Sequence, residues 1–268
     1  GLDFGHNVVI PPQPIPSFAG HFQPNQQRVQ RIRVWLGKQG DMALVSHLDL
    51  MRLYDRAIRR AALPIAFTGG FHPNPRIIPA NALPLGVTSS GEIVDFELTE
   101  AIEVATFRDR LAAQLPSNLP IYHAEAVDIQ APAATQSLTQ AEYVITIAME
   151  SPPDDPAHSQ LEPAESDWQQ WVNSVLASHA IWVDHTTKSG KSQSINLRDR
   201  LSDLKLESTS PNVMLRYIGS CRNDGTLLRP EQVVQMLEQV SGQSLQLLKT
   251  HRQRLVLTDG LPVSMMDS

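Results

Sequence analysis

Arg52, Arg56, Arg59 and Arg60 stand at i, i+4, i+7 and i+8. Wound at about 100° per residue, a helix through them gathers all four guanidinium groups within an arc of roughly 100°. Leu48, Leu50, Met51, Tyr54, Ala57, Ile58, Ala61 and Ala62 fall on the other, apolar side. Asp55 lies beside the ladder and can neutralise only part of it. An ordinary solvated face is one reading. Such faces usually mix Lys with Glu, however, and a row of Arg suits bidentate contacts to phosphate. Ser46 is a good N-cap with Asp49 three residues later, and His47 sits at the helix start as a structural or phosphate-contacting side chain. Pro64 ends the helix.

A loop follows, Phe67-Thr-Gly-Gly-Phe-His-Pro-Asn-Pro-Arg76. Gly69 and Gly70 permit close backbone approach. Pro73 and Pro75 stiffen the segment that presents His72, Asn74 and Arg76. Phe71 is either a stacking platform for a base or a plug into the core. His47 and His72 could form an acid–base pair or hold a metal, but no third ligand is evident. Glu92 and Asp95 do not share a strand face, so they do not make a carboxylate pair for acid–base catalysis. A second basic turn carries Lys188 and Lys191. Its Gly-Lys-Ser lacks the first glycine of a phosphate-binding loop.

The single cysteine, Cys221, cannot close an intramolecular disulfide, which fits a reducing, cytoplasmic compartment. It also cannot supply the three or four thiolates of an iron–sulfur cluster or the ligand quartet of a structural zinc. No apolar run reaches the length of a membrane span, and no signal-peptide pattern opens the chain. Net charge is −6, but it is unevenly spread. Arg28 to Arg76 carries nine bases against three acids, or +6, which leaves −12 on the rest. Such asymmetry suggests a polyanion-facing surface.

These residues need elements to position them. Strands are expected at 31–37, 64–67, 92–98 and 121–129, with helices at 46–62 and 103–115. After a loose stretch at 131–140 the order recurs, with strands at 143–149, 180–185, 213–218 and 245–257 and helices at 167–177 and 229–240. The expected fold is α+β: two tandem ferredoxin-like βαββαβ sandwiches with antiparallel sheets, over 28–130 and 141–258. Residues 1–27 read as a Pro-rich linker, 151–165 as a loose acidic stretch and 259–268 as a tail.

Ser46-His-Leu-Asp-Leu-Met-Arg52, Arg59-Arg60-Ala61, Gly70-Phe-His-Pro-x-Pro75 and Leu83-Pro-Leu-Gly86 with Ser89, Gly91 and Glu92 resemble the radical-SAM-linked protein family. Lys188-x-Gly190 and Gly225 to Glu231 are similar to it in the second half. That family is a domain found beside, or fused to the C-terminus of, cobalamin-binding radical-SAM proteins. The resemblance implies that 1–27 join an upstream radical-SAM domain. It also implies that S-adenosylmethionine, an iron–sulfur cluster and cobalamin belong to that partner and none to this segment. Members often carry a second His where this chain has Asn74, a departure that weighs against a two-His mechanism. The resemblance supplies an associate and no reaction.

Three functions remain in view. The first is an RNA-recognition module, with Ser46, His47, the four arginines, Gly70, Phe71, His72, Asn74 and Arg76 as its contact set. The second is a module that docks the radical-SAM partner or a protein substrate. The third is a metal-independent endoribonuclease using His47 or His72.

Overall fold

The computed structural model describes residues 25–150, 163–186 and 192–258. The Pro-rich start up to 24, most of the acidic stretch, the turn with Lys188 and Lys191, and the tail lie outside the described residues. The chain runs β1 (Gln30–Lys38), α1 (His47–Arg60), β2 (Ile77–Pro79), β3 (Thr88–Leu98), α2 (Val104–Ala112), β4 (Ile121–Val127), α3 (Ala134–Ser137) and β5 (Leu138–Met149). It continues with α4 (Glu165–Ala177), β6 (Trp182–Thr186), β7 (Ser192–Asn196), β8 (Leu201–Ser208), β9 (Val213–Ser220), α5 (Pro230–Ser241) and β10 (Leu245–Leu257). The architecture is mixed α+β around a mostly antiparallel sheet.

That sheet has eight strands, in the order β4-β1-β3-β10-β5-β9-β8, with β2 also pairing β3. β3 and β10 meet in parallel through His251 opposite Thr88 and Arg252 opposite Ser89. The expected two antiparallel sheets are therefore continuous, joined by one short parallel seam. Two further expectations are corrected. Residues 64–67 form only single bridges, at Ile65 and Phe67, because Pro64 and the Gly-rich turn break the run. The strand comes instead after Pro75, as β2. Residues 180–185 enter a separate two-stranded hairpin, β6 with β7. The sheet strand is β8, whose Leu-Ser-Asp-Leu-Lys-Leu-Glu-Ser sequence buries only one side.

Two cores follow from the alternation of residues along the strands. Ile32, Val34 and Leu36 of β1 and Val94, Phe96 and Leu98 of β3 pack with Tyr54 and Ile58 of α1 and Phe107 and Leu111 of α2. Trp168 and Val172 of α4, Met236 and Leu237 of α5, and Tyr143, Ile145, Leu215 and Tyr217 of the sheet form the second core.

The intervening positions of β1 and β3 are charged yet buried. Arg31 faces Glu97 and Arg33 faces Asp95 across the strands. Arg33 Nε and Nη2 donate to both Asp95 oxygens at 2.7 and 3.0 Å. Asp95 also accepts the Ala134 amide at 2.8 Å, and Arg31 Nη1 donates to Ala131 O at 2.6 Å. The connection between the halves is thus held on the charged side of β1 and β3 by groups that would be costly to leave unpaired.

Candidate functional site

α1 forms where its local signals place it. Ser46 Oγ accepts the Asp49 amide at 3.2 Å and donates to the Asp49 carboxylate at 2.7 Å. That bond, with Arg52 next, holds the Asp49 carboxyl below the usual carboxylate range. Leu50, Tyr54, Ala57 and Ile58 are buried. Leu48 and Ala62, expected on the apolar side, are exposed. Leu48 lies about 160° around the helix from the buried Leu50, beside the arginine face, and Ala62 lies in the turn beyond the helix end.

All four ladder arginines are exposed. Arg52 pairs with Asp49 at 3.0 Å and Arg59 with Asp55 at 2.9 Å. Arg56 and Arg60 form no ion pair with a described residue. His47 is half-buried in the first turn.

The loop reaches the ladder through Arg59, whose guanidinium carbon lies 5.9 Å from the centre of the Phe67 ring. Two bonds of 2.9 Å close the turn, from the Thr68 amide to Asn74 O and from the Asn74 amide to Thr68 Oγ1. At its tip Gly70 takes φ +101°, a value that favours glycine. Phe71 is fully exposed there, which removes the plug reading, and His72 is exposed beside it.

Two residues of the expected contact set already have partners within the chain. The Asn74 side chain donates to His72 O at 3.2 Å and braces the turn. Arg76 turns inward to Glu97 at 3.2 Å and to Phe67 O, because Glu97 is a buried carboxylate that also serves Arg31. The charge count over 28–76 is likewise revised. Arg31, Arg33 and Lys38 are buried, with Lys38 donating to Val45 O at 2.9 Å. The outward positive charge is mainly the α1 ladder.

Sequence reasoning missed two assemblies. The first is the seam, where Arg252 of β10 donates to Glu92 and to Asn81 Oδ1. Burial opposes its charge, but Glu92 outweighs burial and holds the guanidinium ionised. The second is a polar groove of about 1100 Å3 lined by Asn81, Trp182, Gln193, Arg200, Arg222 and Arg229 among others. Its residues come from five distant segments, so no contiguous motif announces it. Cys221 is buried and its thiol is pushed up to about 11, chiefly by burial. It is therefore an inert packing group at neutral pH. Among the described residues no three His, Cys, Asp or Glu side chains gather as a metal site, and no helix is long and apolar enough to cross a membrane.

This α+β architecture with an arginine-faced helix accompanies a clear family match. Residues 31–230 match the model of a family described as an uncharacterized protein conserved in bacteria (DUF2344). The chain belongs to that family. No curated protein matches it. Among solved structures, it is similar to a chain of a Cbf5-Nop10-Gar1 complex, at 10% identity and TM-score 0.44, over 84% of this chain and 48% of that one. A chain of the archaeal box H/ACA sRNP Nop10-Cbf5 complex is similar at 10% identity and TM-score 0.39, over 83% and 47%. A protein from Galdieria sulphuraria follows at 13% identity and TM-score 0.24, over 81% and 96%. The chain spans about half the length of the first two, and likenesses this distant carry no functional argument.

Proposed function

We propose that this chain is a non-catalytic recognition module that holds an RNA substrate for a radical-SAM partner. The observation that carries the reading is the exposed guanidinium row of α1 beside a loop whose Phe71 ring is wholly in solvent. A row of Arg meets phosphates bidentately, and an exposed aromatic beside it offers a base a stacking surface. The pairs to Asp49 and Asp55 do not block this use. Exposed ion pairs are worth little, so phosphate can displace them, while Arg56 and Arg60 start without an ion pair to a described residue.

On this reading the two halves are ferredoxin-like units in tandem, the second with β6 and β7 inserted. The matching orders β4-β1-β3-β2 and β10-β5-β9-β8 support it. The radical-SAM association rests on the sequence resemblance over 30–255, strong over 40–95. The partner would carry S-adenosylmethionine, the iron–sulfur cluster and cobalamin, in the cytoplasm. A second reading, a protein-docking module, is favoured by Leu44, Leu48 and Leu85, all strongly exposed. Leu85 is brought to the first of these by the Gly86 amide bonding Ala43 O at 2.8 Å.

The test is RNA binding by fluorescence anisotropy across a salt series. The Arg56→Glu/Arg60→Glu double variant should remain folded by circular dichroism. It should lose affinity by about tenfold or more and show a shallower salt dependence. A folded variant that binds RNA like the wild type, or a wild type that binds none, overturns the reading. Loss of only the radical-SAM partner in a pull-down transfers the face to protein docking. Cleaved rather than intact RNA would point to an endoribonuclease.

A further inference from the structure

The polar groove of the second half lies well away in sequence from the α1 ladder and asks for a ligand of its own. One wall is the β6–β7 hairpin, with Trp182, Gln193, Ser194 and Asn196. Another is the segment from Ser220 to Arg229, and the floor includes Thr139, Gln140 and Ser202. Asn223 fixes that segment to the first half by donating to Ala80 O at 3.2 Å and to the connection between the halves by donating to Thr135 O at 2.9 Å. Asp224 and Thr226 bond each other at the turn. The groove is thus framed by both halves.

Three features of its lining point to one ligand chemistry. Trp182 is 57% exposed, whereas Trp35 and Trp168 are each 2% exposed. A large indole left in solvent beside polar groups is a natural stacking platform. Arg222 and Arg229 are exposed and form no ion pair with a described residue, while Arg200 spends one nitrogen on Leu227 O at 3.1 Å. The remaining lining is mostly amides and hydroxyls, which both donate and accept, with two carboxylates, Asp199 and Asp224, against the three arginines. Apolar lining is confined to Trp182, Ile195 and Leu227, too little to anchor an apolar peptide or helix.

We infer that this groove binds an unpaired RNA strand, with a base stacked on Trp182, phosphates at Arg222 and Arg229, and base edges read by the amides. Unpaired bases are free to stack on aromatic rings and to expose their hydrogen-bonding edges, and a duplex hides both. The inference rests on the RNA reading of the α1 face and deepens it. The ladder supplies sequence-independent attraction, and the groove selects a single-stranded segment.

The experiment titrates the full chain with a mixed-sequence RNA single strand of about eight nucleotides and, separately, with its duplex. It follows tryptophan fluorescence and anisotropy. The wild type should show quenching with the single strand, and Trp182→Leu should abolish most of it. Arg222→Ala/Arg229→Ala should weaken single-strand binding about tenfold or more while leaving duplex binding to the α1 face unchanged. Arg56→Glu/Arg60→Glu should retain quenching at saturating RNA. Folded groove variants that bind the single strand like wild type overturn the groove inference alone, as does a wild type that binds only the duplex. Loss in the groove variants with none in the ladder variant upholds the groove and overturns the ladder. A polyglutamate peptide that displaces the single strand at equal charge concentration would show a generic acidic site and also overturn the inference.

Discussion

Arg252 of β10 and Glu92 of β3 form an ion pair at the parallel seam between the halves, with Nε 2.7 Å from Oε1 and the guanidinium fully buried. Asn81 and the Tyr143 hydroxyl complete its shell at 2.9 and 3.3 Å. Removing one partner of such a pair strands the other in a low-dielectric interior. Glu92→Gln should therefore destabilise the fold by about 3–5 kcal/mol, read as a lower urea midpoint. A joint Glu92→Leu/Arg252→Met change should recover most of that loss. A Glu92→Gln protein with unchanged stability would remove the pair from any structural role.

Gly91 lies one residue from that pair. A Cβ there would stand 2.6 Å from Arg254 Cα and 2.7 Å from Gln253 O, so backbone rather than a flexible side chain would have to yield. Gly91→Ala should cost about 1–3 kcal/mol by overpacking and loosen the seam. Hydrogen exchange would detect this as faster exchange at 88–91 and 251–254 than in the rest of the sheet. Uniform exchange across both halves would contradict it.

What the sequence disclosed was local. The helix at 47–60 and its arginine face were legible because the 3.6-residue period, the Ser46 cap and Pro64 all lie within one short window. The strand runs read at 31–37 and 245–257 were legible from their β-branched and aliphatic content. The inward turn of Arg31 and Arg33 was not, because their partners Glu97 and Asp95 lie more than sixty residues away and a charge count cannot see across a sheet. The role of Phe71 was undecided because a plug and a platform have the same composition; its full exposure removes the plug. The groove and the seam exist only after residues from 81, 92, 182, 222, 229 and 252 are brought together.

Ala62 is the one non-glycine residue of positive φ among the described residues, at +49°. It follows the end of α1, where Arg110 donates to the carbonyls of Ala61 and Ala62 and holds the turn. An alanine in the left-handed region costs about 1–2 kcal/mol, partly offset by the backbone entropy that glycine loses on folding. Ala62→Gly should raise stability by up to about 1 kcal/mol, visible as a higher melting temperature. Arg110→Ala should lower it by leaving those carbonyls unpaired. A destabilised Ala62→Gly protein would show that the strain is absent.

His251 ties the same seam by a neutral ring. Its Nδ1 lies 2.8 Å from Thr88 Oγ1 and its Nε2 2.9 Å from Ser90 Oγ, so one hydroxyl donates and the other accepts. Burial, then the nearby Lys249, pushes its pKa below the ordinary histidine value, and Glu92 opposes this only in part. The folded protein therefore takes up this proton less readily than the unfolded chain. Its contribution is fully present above about pH 6.5, the unfolded value, and is lost as pH falls through the lowered folded value. Stability should thus decline between neutral pH and pH 5 more steeply in the wild type than in His251→Gln, which keeps two polar side-chain atoms without titrating. Urea midpoints at pH 5 and 7.5 for both proteins isolate this residue from the other histidines, because those titrate identically in each. Equal midpoint shifts in the two proteins would mean that the proton on His251 does not influence folding. A larger shift in the variant would reverse the sign and require a folded pKa raised above the ordinary one.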